Sequence, residues 1–280
     1  MPERPDLEYQ LPILQREVTG LSVTGVRVRD PLVLRVAIAG TPASLLVDCT
    51  IVSVSRRAHF VVFDLGAVDV VVHPMLAGRF YIDAADRRDR GDTTVALQLS
   101  DGRELRYGDK VRMGKFYIVD RDGWDKVPGL TTIGLDVLNP KVFTFAAFKK
   151  LAKKRRDQVK LFLKDKTQLD SMGNAYADEV LFAAGLHPKT RTNKLSDDDL
   201  KILHKAIVNV LTHARDEIAG REPALHEKIR DFLKVRNRKG EPCPICGTKI
   251  RSVGVRGFDA FICPECQPDQ SGGFINWRKK

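Results

Sequence analysis

Four cysteines, Cys243, Cys246, Cys263 and Cys266, stand in a C-x2-C-x16-C-x2-C pattern and constrain this chain more than any other feature. Cysteines two residues apart do not easily pair with each other. Two such pairs do suit one tetrahedral zinc, each forming a knuckle. The spacer reads as a short hairpin, with Lys249 to Val253, a turn over 254–257, and Phe258 to Ile262. The pattern predicts a zinc ribbon with one structural Zn2+; a redox pair or a ribbon that has lost its metal is the alternative. The fifth cysteine, Cys49, lies in the apolar stretch SLLVDCTIV and is expected to be a buried core thiol.

The rest of the chain is too long and too mixed for a ribbon alone. Its 280 residues suggest two domains or so, and 43% apolar with 30% charged residues excludes collagenous, low-complexity and wholly disordered classes. There is no apolar run long enough for a transmembrane helix, and MPERPDLEYQ lacks the apolar centre of a secretory signal. The expectation is an intracellular, cytoplasmic monomer without membrane contact, nucleoid-associated if bacterial. Lys and Arg number 47 against 36 Asp and Glu, a net charge of +11. Such a surplus favours a polyanionic partner, though a basic surface can also serve solubility alone.

Three regions follow from the patterning. Residues 1–130 open with a helix over Pro5 to Glu17, whose Leu7, Leu11 and Leu14 recur at helical spacing. Strand-like runs follow, among them LSVTGVRVR, LVLRVAIAG, ASLLVDCTIVSVSR, HFVVFDLG, VDVVVHP and TTVALQLS, punctuated by DG and GD turns. They predict a two-layer antiparallel β-sandwich. Residues 131–235 read as helical, with helices over Phe145 to Lys154, Asn174 to Gly185 and Ser196 to Ala219. The basic run from Lys149 to Arg156 is a solvated face or a phosphate contact. Residues 236–280 hold a basic linker, the ribbon and a basic tail, Arg278-Lys279-Lys280. The fold class is α+β and multidomain.

Three segments carry a resemblance to a known family. Met1-Pro2-Glu3-Arg4-Pro5-Asp6-Leu7-Glu8 resembles the opening of the formamidopyrimidine-DNA glycosylase and endonuclease VIII family. Gly173-Asn174-Ala175-Tyr176-Ala177-Asp178-Glu179 resembles its helix–two-turn–helix motif. The ribbon, closing on Cys263-Pro264-Glu265-Cys266-Gln267, completes the order. The resemblance spans nearly the whole chain. It implies a base-excision-repair DNA glycosylase with AP lyase activity acting on damaged DNA, with a β-sandwich, a helical domain and a zinc ribbon.

The resemblance also implies roles for single residues. With Met1 removed, Pro2 carries a free secondary amine that attacks C1′ of a damaged nucleotide, and Glu3 shuttles protons. Leu76 in His73-Pro74-Met75-Leu76-Ala77-Gly78-Arg79 matches an intercalating Met. In Asp109-Lys110-Val111-Arg112-Met113-Gly114, Val111 matches an Arg that reads the orphaned base and Met113 matches a Phe. Apolar wedges remain compatible with DNA kinking; ordinary core packing is the other reading of Leu76 and Met113. Lys160 and Asn174 match DNA-contacting positions. Phe258 occupies the position of a ribbon Arg, and Arg256 nearby is a substitute DNA contact or a solvated side chain.

The largest departure is His59, which occupies a catalytic Lys position in Ser55-Arg56-Arg57-Ala58-His59-Phe60. Histidine can donate a proton but is shorter and mostly neutral near pH 7. Asp6 similarly shortens a family Glu. These changes mark a divergent member. They leave open a second reading, a catalytically weak paralogue that binds lesions or structured DNA. A zinc-ribbon RNA-binding protein is a more distant third.

Overall fold

The computed structural model describes residues 2–170 and 172–269; the predicted basic tail at Arg278 to Lys280 lies outside them. The chain divides into two compact units, residues 1–133 with 215–229, and residues 134–214 with 230–280. The ribbon therefore groups with the helical residues, and a segment past position 214 returns to the first unit.

In the first unit, α1 (Arg4–Val18) precedes nine strands: β1 (Val23–Val28), β2 (Leu34–Val36), β3 (Ser53–Arg57), β4 (Phe60–Asp64), β5 (Val68–His73), β6 (Arg79–Ala84), β7 (Thr93–Leu99), β8 (Arg103–Gly108) and β9 (Lys115–Asp120). They form a four-stranded sheet, β1-β7-β8-β6, and a five-stranded sheet, β2-β9-β5-β4-β3. Every pairing is antiparallel except that of β2 with β9, which is parallel. Leu7, Leu14 and Val18 of α1 share one core with inward residues of both sheets. Strands β4 and β5 read FVVF and VDVVV, buried throughout, because both of their faces are covered. Val61, Phe63, Val70 and Val72 enter that core, while Phe60, Val62 and Val71 pack with Val119, Val127 and Leu130.

Two expectations are corrected here. The stretch ASLLVDCTIVSVSR is not one strand: Pro42–Leu46 forms a short helix, α2, before β3 begins. Thr41 caps it, its Oγ1 accepting the Ser44 N–H at 3.1 Å, and Pro42 supplies a favourable first helical residue. This local chemistry outweighs the β propensity of the run. Cys49 follows this helix and is half-buried rather than fully buried, its Sγ–H directed at the Leu45 carbonyl.

The second unit holds α3 (Phe145–Lys153), α4 (Val159–Lys164), α5 (Asn174–Ala183), most of α6 (Asp197–Arg221), and the ribbon strands β10 (Arg251–Val255) and β11 (Phe258–Ile262). Its helices meet through Phe148, Phe162, Tyr176, Val180, Leu203 and Ile207. Lys149 and Lys153 of the basic run pair with Asp197, and Arg155 pairs with Asp157 and Asp165, so much of that charge is neutralised within the fold. Among the described residues no helix is long and apolar enough to cross a membrane.

Candidate active site and zinc ribbon

Pro2 is buried immediately ahead of α1, and Glu3 is the helix N-cap. A reciprocal capping box fixes this end. The Glu3 carboxylate accepts the Asp6 N–H, and Asp6 Oδ2 accepts the Glu3 N–H at 2.7 Å. Asp6, the shortened acid of the motif, thus orients the backbone of the residue beside Pro2. One turn on, Glu8 pairs with Arg4 at 2.8 Å and with Arg56 of β3 at 3.4 Å. These contacts tie the helix start to the β3–β4 hairpin.

That hairpin has a two-residue loop, Ala58-His59, between the paired residues Arg57 and Phe60. Ala58 takes a positive φ of 51°, as tight hairpins of this kind require. His59 is buried, and its ring lies 4.2 Å from that of His73 and 4.3 Å from that of Phe60, centroid to centroid.

The two loops named from the sequence both project apolar side chains. Gly78 N–H closes the first loop on the Pro74 carbonyl at 2.7 Å. A Cβ on Gly78 would lie 2.4 Å from both that oxygen and Tyr107 Oη, so the turn needs glycine. Leu76 stands out from it, 55% exposed. In the second loop the buried Asp109 carboxylate accepts the N–H groups of Val111 at 3.0 Å and Gly114 at 2.6 Å. Val111 and Met113 are left 51% and 41% exposed. None of the three is a core residue.

In the second unit, Asn174 opens α5 behind the N-cap Gly173, and its Oδ1 is a buried atom without a hydrogen-bond partner among the described residues. Lys160 departs from the expected DNA contact. Its ammonium is wholly buried, donating to Asp178 Oδ1 at 2.6 Å and to the Asp259 carbonyl of β11. Asp178 also accepts Arg236 Nη1 at 2.9 Å and the Phe261 N–H at 3.3 Å. Burial pushes the Asp178 carboxyl up and the Lys160 ammonium down, while the attraction between them opposes both shifts. The motif acid Glu179 accepts three backbone N–H groups, from Lys234, Val235 and Arg236. The family-like motif here therefore fixes the ribbon to α5.

Arg256 lies with Gly257 in the β10–β11 turn, where both have positive φ and Arg256 is exposed. Phe258 beside it is 42% exposed, and Lys164 Nζ sits 3.0 Å from its ring centroid. A cation thus stands at the ribbon turn, though it comes from α4. Lys164, Asp178, Arg236 and His73 were not singled out from the sequence. Asp178 sat inside a quoted motif, and His73 directly precedes the Leu76 loop.

The cysteine quartet has the geometry of a zinc site. All four Sγ atoms lie within 4.8 Å of one another, and three separations are 3.4, 3.6 and 3.9 Å. A tetrahedron with zinc–sulfur bonds of about 2.3 Å has edges of about 3.8 Å. Hydrogen bonds from Thr248 hold the Cys246 thiol down at about 6, whereas burial pushes Cys263 and Cys266 up. Four adjoining thiols resist ionising together unless a cation stands between them. Gln267 completes the knuckle, its Oε1 accepting the Cys263 N–H and its Nε2 donating to the Leu186 carbonyl.

Family comparisons agree with this arrangement. Residues 1–116 match the formamidopyrimidine-DNA glycosylase N-terminal domain, 133–221 its H2TH domain, and 240–268 a zinc finger found in FPG and IleRS. The formamidopyrimidine-DNA glycosylase of Pelotomaculum thermopropionicum is 32% identical over 276 residues, 95% of this chain and 99% of its own. That of Bacillus subtilis is 31% identical over 281 residues, with coverages of 95% and 99%. Among solved structures, Lactococcus lactis Fpg in complex with an abasic-site DNA superposes with a TM-score of 0.86 at 24% identity, covering 95% of this chain and all of that one. The same enzyme, inhibited and bound to a DNA containing N7-benzyl-Fapy-dG, gives 0.86 at 25% identity and the same coverages. With three domain matches in order and relatives above 30% identity over full length, the chain belongs to the formamidopyrimidine-DNA glycosylase family and carries its zinc ribbon as a one-zinc structural site.

Proposed function

We propose that this chain is a base-excision-repair DNA glycosylase that also cleaves abasic sites, through an imine formed by the Pro2 amine. The capping box at Glu3 and Asp6 is the observation that carries this reading. It fixes the backbone next to Pro2 at the start of α1 and sets the Glu3 carboxylate beside the amine. A secondary amine of pKa about 8 already has a useful neutral fraction at pH 7. Attack on C1′ expels the base. The resulting iminium withdraws electrons from the sugar, so that a base can take a C2′ proton and eliminate the 3′ phosphate. Glu3 is the neighbouring carboxylate for proton transfer to the opening sugar ring.

Leu76, Val111 and Met113 would fill the space left by an extruded nucleotide, and their exposure supports that role. Asn174 would hold a phosphate at the start of α5 by donating its side-chain amide N–H beside the backbone N–H groups of the helix start. Arg256 and Lys164 supply charge at the ribbon turn. His59 would replace the family lysine as proton donor. Damaged DNA is the partner, and the protein acts as a monomer.

Borohydride trapping on abasic-site DNA tests the reading. A covalent adduct is expected, and an N-terminal extension that blocks the amine should abolish it. Tight DNA binding without any adduct would favour the lesion-binding paralogue, to which the loss of the family lysine at His59 and of the ribbon Arg at Phe258 points. If His59→Lys then raises activity on oxidised purines, His59 sets specificity on a working scaffold.

A further inference from the structure

His59 and His73 come from different elements and meet ring to ring. His59 sits in the β3–β4 loop and His73 ends β5, with centroids 4.2 Å apart and ring planes at 54°. Phe60 closes the cluster, 4.8 Å from His73 and fully buried. Two imidazoles this close cannot both take a proton without strong like-charge repulsion.

The second contact of His73 decides which ring takes it. His73 Nδ1 accepts the Met75 N–H at 3.0 Å. A protonated imidazole carries hydrogen on both nitrogens and cannot accept. Protonating His73 would therefore break this bond. The bond also organises the loop that presents Leu76, because it spans two residues and holds Met75 at a positive φ of 46°. This is the pattern by which a short polar side chain stabilises a turn two residues on.

We infer that His73 is a positioning residue that joins His59 to the Leu76 loop: it leaves the exchangeable proton to His59 and pins the first turn of the loop. The inference rests on the proposed reading in placing His59 at the reaction and the Leu76 loop against DNA. It explains how histidine serves at a lysine position, since a neutral neighbour lets one imidazole carry the charge. It also makes the charge at His59 and the posture of a DNA-facing loop depend on one ring. Lys115 of β9 pairs with His73 in the sheet, and Arg56 of β3, which pairs with Glu8 of α1, lies three residues before His59.

The test uses full-length, zinc-loaded protein. Nitrogen-15 NMR of the imidazoles, without DNA, reads the order of protonation. His73 should remain the neutral Nε2–H tautomer while His59 titrates, and the Met75 amide should stay put through that step. His73 taking its proton before His59 would overturn the inference, and this arm stands even if no trapping is seen. His73→Phe keeps a ring against His59 but removes the acceptor. It should lower affinity for a duplex with a non-cleavable abasic analogue, lower the trapping rate on saturating abasic DNA about tenfold, as a displaced contact loop would, and shift the pH profile. His73→Asn keeps an acceptor for the Met75 N–H. It should restore affinity for a duplex with a non-cleavable abasic analogue but not the wild-type pH profile. Affinity and pH profile both unchanged in His73→Phe would also overturn it. Wild-type protein that neither binds nor traps DNA would instead sink the proposed function.

Discussion

The ammonium of Lys160 meets the carboxylate of Asp178 at 2.6 Å with both side chains essentially out of solvent. The pair also reaches β11 through the Asp259 carbonyl and Arg236 through the second carboxylate oxygen. Removing the lysine would strand a buried carboxylate with one cation fewer. Lys160→Met should therefore destabilise the protein by about 3–5 kcal/mol. Chemical denaturation checks this. A variant with native stability but weakened DNA binding would return Lys160 to the role expected from sequence.

Zinc analysis should find about one ion per chain, since the four thiolates form one site. Cys263→Ala should lose the metal and weaken DNA binding while the strands of the first unit keep their circular-dichroism signal. A metal-free protein whose ribbon amides stay protected from exchange would contradict the assignment.

The exposed apolar loops allow stability and binding to be separated. Leu76→Ala and Met113→Ala remove no core contact, so each should change folding stability by no more than about 0.5 kcal/mol. Affinity for abasic-site duplex should fall nonetheless. Equal losses of stability and affinity would mean that these residues pack in the fold.

Asp6→Ala removes the acceptor for the Glu3 N–H and should cost about 1 kcal/mol, the usual value of a helix cap. If the cap also orients Pro2, the borohydride trapping rate should fall by more than the loss of folded protein accounts for. Glu3→Gln should spare DNA binding and depress base removal.

The pH dependence can be read at Glu17. Arg103 donates to it at 2.7 Å, and hydrogen bonds from Arg103 and then Arg16 hold its carboxyl below the usual carboxylate range. The folded state thus binds the proton less readily than the unfolded chain. The stabilisation is present above the unfolded pKa and is lost as pH falls through the folded one. Glu17→Gln should cost no more than about 1 kcal/mol at neutral pH and nothing in strong acid. Urea melts at the two pH values decide it.

The sequence by itself determined the zinc quartet, because a metal-ligand set is local: two CxxC pairs and a hairpin spacer carry all the needed atoms. It also determined the first helix, read over Pro5 to Glu17 and found over Arg4–Val18, the helix that begins at Asn174 and the β-rich character of the first 130 residues, since period and caps act over a few positions. It could not settle whether Leu76 and Met113 were core or surface, because both occur in apolar-compatible contexts; the loop closures at Gly78 and Asp109 turned them outward. It misplaced α2, where a Thr-Pro cap outweighed a β-prone run. Lys160 and His73 show the deeper limit. Lys160 faces inward only because Asp178, 18 positions away, and Asp259, 99 positions away, converge on it. His73 meets His59 only because β4 and β5 pair in one register. Which partners such groups meet depends on residues distant in sequence, so only the tertiary structure decided it.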